Sequence, residues 1–317
     1  MASQTRVAGR RAAALSGLVF LWLVVARLPA TAAEKFSLRL HLTPGQAFKV
    51  RLSVEQKIQP TIQGEQVTTT QTFGFGHTFR VQQVAADGTA TCEVTYDSVV
   101  IQQGGGLQPK LEYDSTDTSA PVPPAARQFA GIVGQRYSIK ITPTGRVIDV
   151  QGGQAIIERL NKAFGLSDEG VPKERNGNAV VKAMLEQFTA VYPDQPVAVG
   201  DSWITRTMMY MGFPMLAASR YTLEDRQGGV AVVGVASNVQ TPATAAPVKM
   251  GTSSIRYDLS GKQSGKLHLD ESSGWILRSE FTQRVSGTMK LEGLPRTEGP
   301  QSWPISMVSV FRVEPLE

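Results

Sequence analysis

The stretch AFKVRLSVEQKI, residues 47–58, alternates apolar and polar side chains along its length. A period of two places successive side chains on opposite faces of a β-strand, and one polar face is typical of an antiparallel sheet. Residues 36–42 show the same alternation. Both stretches are therefore predicted to be strands. The apolar positions of the longer one are Phe48, Val50, Leu52, Val54 and Ile58.

The same alternation recurs downstream between turn residues. Residues 72–81, TFGFGHTFRV, predict a strand that bends, because glycine inside a strand relaxes its curvature. Asp87-Gly88 predicts a hairpin turn after it. A second series of strands is predicted over residues 202–211, 220–224, 230–235, 265–270, 275–289 and 303–313.

The middle of the chain changes to a helical period. The first predicted helix has an apolar stripe of Ile156, Ile157, Leu160 and Phe164 and ends at Gly165. Asn178 is the predicted N-cap of a second helix, which ends at Pro193. Two amphipathic helices need apolar surface to cover, and a sheet face is the natural candidate. The second stripe is Val181, Met184, Leu185, Phe188, Val191 and Tyr192.

The second half of the chain echoes the first in the same order. Gly45 opens a long predicted strand and is answered by Gly200, and Gly145 in a hairpin turn is answered by Gly274. A repeat this long predicts duplicated domains; the alternative is that any two strand meanders resemble each other. The expected fold is mainly β with helices (α+β): two similar curved antiparallel sheets or half-barrels, with a central amphipathic helix pair.

Residues 1–33 have the three regions of a secretory signal peptide. Arginines lead into the apolar run LSGLVFLWLVV, residues 15–25, and Ala30-Thr31-Ala32 offers a cleavage site. We expect cleavage near Ala32/Ala33 and a periplasmic or extracellular mature protein. No membrane span is expected after signal-peptide removal, because a spanning helix needs roughly 20 apolar residues. An uncleaved N-terminal anchor is the alternative.

The predicted domain boundaries follow from these features. Residues 1–33 are the signal peptide, residues 34–195 an N-terminal β lobe with the central helices, and residues 196–317 a C-terminal β lobe. The leader contains four arginines and no acidic residue, so its removal lowers the formal net charge from +5 to +1. A nearly neutral mature chain gives no support for nucleic-acid binding.

The sequence contains no recognisable catalytic motif, metal-ligand spacing or cofactor fingerprint. We therefore expect no enzyme activity, no metal and no cofactor. Cys92 alternates on the apolar face of a predicted strand and is expected to be a buried core residue. His77 is expected to pack among phenylalanines, and His41 and His268 to face solvent. Three acidic pairs are expected to be solvated loop residues: Asp114/Asp117, Asp168/Glu169 and Asp270/Glu271.

One stretch is a candidate for ligand binding. Residues 207–216, TMMYMGFPML, concentrate methionine and aromatic side chains, and methionine suits an adaptable apolar surface. The alternative is an ordinary core strand with a bulge at Gly212-Phe213-Pro214. The candidate ligand-binding residues are Met208, Met209, Met211 and Phe213, together with Phe188 of the second helix.

Several of these motifs occur together in a known group of proteins. The order of signal peptide, G-x-x-[FW] strand opening, D-G hairpin and closing T-x-x-G-x-[VI] hairpin resembles an exported bacterial β-rich family of unknown function, over most of the mature chain. More distantly, strand meanders with helices laid against them resemble the LolA/LolB-like periplasmic lipoprotein carriers. That resemblance implies a curved half-barrel around an apolar cavity, and it supplies no site residue.

The resulting expectation is an exported non-enzymatic binding protein, a carrier or sensor of an apolar, lipid-like ligand. Its expected partner is an apolar small molecule or an envelope protein. A cell-envelope or surface protein-interaction module without a small ligand is the first alternative, and an uncharacterised hydrolase is the second. An enclosed apolar pocket of roughly 300 Å³ or more would favour the carrier.

Overall fold

The computed structural model describes residues 34–106, 108–163, 177–210, 213–250, 253–293 and 301–316. Within these ranges the chain forms fourteen strands, three α-helices and one 3₁₀ helix. The predicted mainly β fold with a helix pair is confirmed. The helices are a 3₁₀ helix Pro124–Ala126, α1 Arg127–Ala130, α2 Gly153–Ala163 and α3 Gly177–Thr189. The strands are β1 Ala47–Ile62, β2 Glu65–Gln66, β3 Thr69–Val84, β4 Ala90–Gly105, β5 Gln108–Asp114, β6 Arg136–Ile141, β7 Val147–Gln151, β8 Ser202–Tyr210, β9 Pro214–Gln227, β10 Val230–Gln240, β11 Val248–Met250, β12 Ser253–Asp270, β13 Ile276–Glu292 and β14 Gln301–Pro315.

The strands form one open antiparallel sheet. Its order is β7-β6-β4-β3-β1-β14-β13-β12-β10-β9-β8, and β2, β5 and β11 add to β1, β4 and β12. Strands of both predicted halves thus share a single sheet, because the first strand pairs with the last, as at Val54 opposite Phe311. The edge strands are β7 and β8.

The strand order contains two series of similar topology. The series β1-β3-β4-β6-β7 and β8-β9-β10-β12-β13 are both meanders of successive antiparallel neighbours. Gly45 and Gly200 have φ values of +87° and +94° and precede equivalent strands. Each donates its amide N–H across the sheet, Gly45 to the Val81 carbonyl and Gly200 to the Leu223 carbonyl. The two glycines therefore occupy matching positions, as the sequence comparison predicts.

The second pair of matching glycines lies in two hairpin turns. Gly145 lies between β6 and β7 with a φ of +74°, and Gly274 lies between β12 and β13 with a φ of +72°. Residues 36–42 run past both turns: Leu40 donates its amide to the Pro143 carbonyl and His41 donates to the Ser273 carbonyl. Residues 36–42 make a single isolated bridge, Phe36 with Val197, so the segment is not the strand that its alternation predicts. The apolar side of that alternation is nevertheless buried, at Leu38, Leu40 and Leu42.

Helices α2 and α3 begin side by side and cap each other. The Asn178 side-chain oxygen accepts the amide N–H of Gly153, the first residue of α2, at 3.0 Å. Gln154 of α2 in turn accepts the amide N–H of Gly177, the first residue of α3. The prediction that Asn178 caps its own helix is wrong, because α3 already begins one residue earlier and the side chain serves the neighbouring helix. Phe164 and Gly165 lie outside the described residues.

Helix α3 lies against both unpaired edges of the sheet. Its Glu186 accepts the Val147 amide N–H of β7 at 3.0 Å, and Thr189 donates to the Gly145 carbonyl at 2.8 Å. On the other side, the Trp203 indole of β8 donates to the Val191 carbonyl, just after the helix, at 2.8 Å. Such cover matters because an exposed edge strand offers unpaired backbone groups to other chains. The predicted helix end at Pro193 is late: α3 ends at Thr189, and Val191 and Tyr192 beyond it are also buried.

The sheet has an inner and an outer face. We define the inner face as the one that carries Val50, Leu52 and Val313, against which Leu185 and Phe188 of α3 pack. Three inner-face glycines, Gly261, Gly265 and Gly287, lie so close to the paired strand at β12–β13 that a Cβ would overlap a carbonyl oxygen of that strand. Glycine at these positions lets the two long strands approach and coil tightly.

Candidate ligand-binding site

The inner face forms a small, partly open apolar cavity next to α3. Its volume is about 30 Å³, which is room for one or two water molecules rather than for a lipid. Trp275 stacks on Phe48 with ring centroids 4.2 Å apart and thereby closes one side. The lining residues are Leu40, Val50, Leu52, Phe79, Leu185, Phe188, Thr189, Tyr192, Trp275, Ile276 and Val313.

The opposite end of the inner face carries a second apolar group, which we name the rim: Phe213, Tyr257, Met289 and Trp303. Tyr257 pairs with Met289 and Met289 with Trp303 across three strands, and Phe213 stacks on Tyr257 with centroids 4.2 Å apart. Trp303 is ten residues from Val313 of the cavity, about 33 Å along β14. Tyr257, Met289 and Trp303 are only half-buried, whereas Leu259 and Ile305, the next inner-face residues toward the cavity, are 2% and 5% exposed. The apolar lining therefore continues past the closed core to an accessible end.

A polar row crosses the inner face between the cavity and the rim. Its members pair directly with one another from strand to strand and are all uncharged. Apolar rows flank it on both sides, for example Phe281 paired with Phe311 on one side and Val285 paired with Met307 on the other. We define the polar row by its residues: Gln103, Gln71, Gln56, Ser309, Gln283, Gln263, Ser237, Ser219 and Thr205.

The structure separates the residues that the sequence grouped as a binding site. Phe188 lines the cavity, whereas Phe213 belongs to the rim at the other end. Met209 is buried on the inner face opposite Met215, while Met208, 39% exposed, points outward. Met211 lies outside the described residues.

The cysteine and acidic residues singled out in the sequence occupy ordinary structural positions. The Cys92 thiol is buried, which raises its pKa to about 11. Asp270 accepts hydrogen bonds from Ser272 and Ser273 in a turn, and Glu271 forms an ion pair with Arg226 at 2.7 Å. Asp114 and Asp117 each accept bonds from hydroxyl residues two positions on, and Asp168 and Glu169 lie outside the described residues. Across the described part of the chain, no group of three or more His, Cys, Asp or Glu side chains could hold a metal ion.

The three histidines lie apart. His41 is exposed, and His268 is half-buried on the outer face beside Arg278. His77 is buried against Phe79 and Tyr96, as predicted. Its Nδ1–H donates to the Phe75 carbonyl at 3.1 Å. Burial lowers the pKa of His77 from 6.5 to about 4, against the smaller opposing effects of that hydrogen bond and of Asp97.

The buried His77 predicts a stability loss in mild acid. The unfolded chain takes up a proton on this residue near pH 6.5, whereas the folded chain does so only near pH 4. The contribution of His77 is therefore fully present above pH 6.5 and is lost as the pH falls to about 4, at a cost on the order of 3 kcal/mol. Urea denaturation between pH 4 and pH 6.5 measures this change in the free energy of unfolding. The variant His77→Phe is the control, because it keeps the contribution of the carboxylates and removes that of the histidine. An equally steep pH dependence in His77→Phe would contradict the assignment.

Comparison with known families identifies the group to which the sequence belongs. The family of unknown function DUF6263 matches residues 87–276, more than half of the chain. The chain belongs to the DUF6263 family. The DUF6263 match begins in the turn before β4 and ends at the first residue of β13. It thus includes α1 to α3, whereas β1 and β14 at the centre of the sheet lie outside it.

Solved structures similar to this DUF6263 chain are distant. One is a lipovitellin structure described by its lipid–protein interactions, with a TM-score of 0.48 and 9% identity. It covers 87% of this chain, which spans 25% of the lipovitellin chain. An outer membrane channel from Pseudomonas putida F1 matches with a TM-score of 0.23 and 7% identity, over 86% of this chain and 97% of its own. Salmonella typhi OmpF matches with a TM-score of 0.20 and 10% identity, over 85% and 98%. TM-scores below 0.5 carry no argument about function.

Two further results concern relatives of this DUF6263 protein and its helices. The curated proteins include no match to the chain. In the described ranges, every helix is too short or too polar to cross a membrane.

Proposed function

We propose that the protein is an exported, non-enzymatic binding protein that takes up an apolar, lipid-like ligand through the rim onto the inner face of its sheet. The observation that supports it is the apolar part of the inner face on the rim side of the polar row. Apolar side chains extend there from Val285 and Met307 to Tyr257, Met289 and Trp303, which keep accessible apolar surface. Covering such surface with a hydrocarbon chain is favourable by about 0.8 kcal/mol per buried methylene.

The inner face near the rim has the composition of an adaptable lining. Met209, Met215 and Met307 lie between the polar row and the rim, and Met289 belongs to the rim itself. Methionine is unbranched and repacks easily, so these side chains can move to admit a ligand. Repacking is required, because the cavity of about 30 Å³ is roughly tenfold smaller than a typical ligand pocket.

The packing around the cavity beside α3 supports ligand entry at the rim, the other end of the inner face. The cavity there is bordered by the stacked Trp275 and by the segment after α3, where the Tyr192 hydroxyl donates to the Gly274 carbonyl at 2.6 Å. The residues that follow α3 are thus tied to the β12–β13 turn, whereas the rim is half-open. An apolar sheet face that becomes accessible at one end is the arrangement expected of a carrier or sensor.

A charge introduced at the rim is expected to abolish binding. Met289→Asp places a carboxylate where the ligand enters, and the cost of desolvating it is expected to weaken binding of the neutral probe N-phenyl-1-naphthylamine by at least about tenfold. Ser302→Asp is the matched control, because Ser302 is exposed on β14 next to Trp303. Fluorescence titration measures the dissociation constants, and native mass spectrometry of gently purified protein tests for a bound lipid.

Two results would contradict the proposal. One is wild-type protein that carries no added mass and does not bind the probe. The other is equal weakening by Met289→Asp and Ser302→Asp. Either result would favour an envelope interaction module, in which the rim contacts another protein.

A further inference from the structure

We infer that the polar row selects ligands with an uncharged polar group, such as a hydroxyl or an ester, on an apolar chain. This inference rests on the proposed function and names the ligand class for the same inner face. The polar row crosses nine neighbouring strands in direct register, from Gln103 of β4 to Thr205 of β8. A sheet interior offers apolar packing at such positions, so an uninterrupted polar row needs a reason.

Some members of the polar row form hydrogen bonds with one another. The Gln71 side-chain amide donates to Gln56 at 2.6 Å, and Gln56 donates to the Ser309 hydroxyl at 3.1 Å. At the other end, the hydroxyls of Ser219 and Ser237 are 2.8 Å apart and share a hydrogen bond. These contacts orient the members on either side of Gln283 and Gln263, which lie between them.

The middle of the polar row has free hydrogen-bonding capacity. Gln283 is 0% exposed, and among the described residues neither its side-chain oxygen nor its nitrogen has a hydrogen-bond partner. Its cross-strand neighbour Gln263 has a buried side-chain oxygen that is likewise unpaired within the described ranges. Buried polar groups are nearly always paired, so the unpaired Gln283 amide and the neighbouring unpaired Gln263 oxygen on a ligand-facing surface indicate a partner that binds there. Together they offer one donor group and two acceptors.

The charge of the surroundings decides between neutral and ionised ligands. The inner-face positions of β1, β12, β13 and β14 contain no Asp, Glu, Lys, Arg or His; on β13 they are Ser279, Phe281, Gln283, Val285, Gly287, Met289 and Leu291. An ionised carboxylate or phosphate buried here would have no counter-charge, which is strongly unfavourable. A hydroxyl or ester pairs with amide groups without that cost.

The position of the polar row sets how the ligand lies. Ser309 is six residues from Trp303 at the rim, about 20 Å along β14. An apolar segment of the ligand would therefore occupy the methionine-rich part of the inner face, with its polar group at Gln283 and Gln263. A pure hydrocarbon would fill the same space and leave both amides unpaired.

Matched ligands and a glutamine variant test this assignment. Dodecanol, dodecane and dodecanoate share one chain length and differ in the polar group, and at about pH 8 dodecanoate is ionised. Each competes with N-phenyl-1-naphthylamine for wild type, Gln283→Leu and the control Gln82→Leu, an exposed residue of β3. Wild type and Gln82→Leu are expected to bind dodecanol at least about tenfold more tightly than the other two. Gln283→Leu is expected to bind dodecane as wild type does and to lose the preference for dodecanol.

The outcomes separate this inference from the proposed function. Wild type that binds none of the three ligands refutes the proposed function. Wild type that binds all three equally or prefers dodecanoate, or Gln283→Leu that keeps the dodecanol preference, overturns only the role of the polar row. If Gln283→Leu does not fold, Gln263→Leu carries the same comparison with the same expected loss.

Discussion

Replacement of Gly274 by alanine is expected to lower the free energy of unfolding by about 2–5 kcal/mol. Gly274 has a φ of +72°, a conformation that costs an L-residue about 1–2 kcal/mol. A Cβ at this position would also overlap the Arg39 carbonyl oxygen and lie 2.9 Å from the Leu40 Cα. Both atoms belong to the backbone segment that runs past the turn, so they cannot move away cheaply, and overpacking of this kind adds about 1–3 kcal/mol.

The matched control for Gly274 is Gly228. Its φ of +62° is equally left-handed, but nothing lies within 4 Å of a Cβ built there. Gly228→Ala should therefore show only the conformational cost of about 1–2 kcal/mol. Chemical denaturation of both variants measures the difference, and equal losses would show that the packing of residues 39–40 against the turn contributes little.

Replacement of Gly265 by valine is expected to destabilise the fold by about 3–5 kcal/mol for a purely steric reason. The backbone of Gly265 is ordinary, but a Cβ would overlap the Glu280 carbonyl oxygen and lie 2.7 Å from the Phe281 Cα of the paired strand. A branched side chain there must push β12 away from β13, with a loss of ladder hydrogen bonds.

Gly74→Ala provides the comparison for Gly265. Gly74 lies in β3, and the nearest atom to a Cβ there is the Val100 Cβ at 3.6 Å, an ordinary contact. Alanine at this strand position should be neutral or stabilising by up to about 1 kcal/mol. Thermal and urea unfolding of the two variants tests the steric argument, which fails if Gly265→Val unfolds at the wild-type midpoint.

Strand alternation made much of this fold predictable. The apolar residues of β1 and β14 alternate almost without interruption, and the helical stripe from Val181 to Phe188 is equally regular. The matching glycines, Gly45 with Gly200 and Gly145 with Gly274, were visible because turn geometry restricts the residue type. These features depend on interactions between residues close in the chain, so they can be predicted from a single sequence.

The first half of β12 was missed for an instructive reason. Inner-face positions in this strand include Gly261, Gln263 and Gly265, where alternation would require apolar side chains. The glycines serve the close approach to β13, and Gln263 belongs to the polar row. Glycine and glutamine at inner-face positions remove the alternation of apolar residues by which a strand is predicted. Neither the first half of β12 nor the polar row was therefore predicted.

The rim and the polar row could not be found from sequence because they depend on register. Gln56, Ser309 and Gln283 are far apart in the chain and become neighbours only when β1, β14 and β13 pair. The methionine stretch at residues 207–216 gave a partial signal, since it placed Phe213 and Met209 in the candidate site. Tyr257, Met289 and Trp303 had no local signature of their own.

The pairing of the first strand with the last has a consequence for how the chain folds. Arg312 of β14 bonds to Glu55 of β1, from which it is separated by 257 positions in the sequence. Such non-local contacts form slowly, because a long loop must close before they contribute. A chain that lacks its last fifteen residues would expose β1 and β13 as two unpaired edges in the middle of the sheet. The protein is thus vulnerable to strand-mediated association until its C-terminal strand arrives.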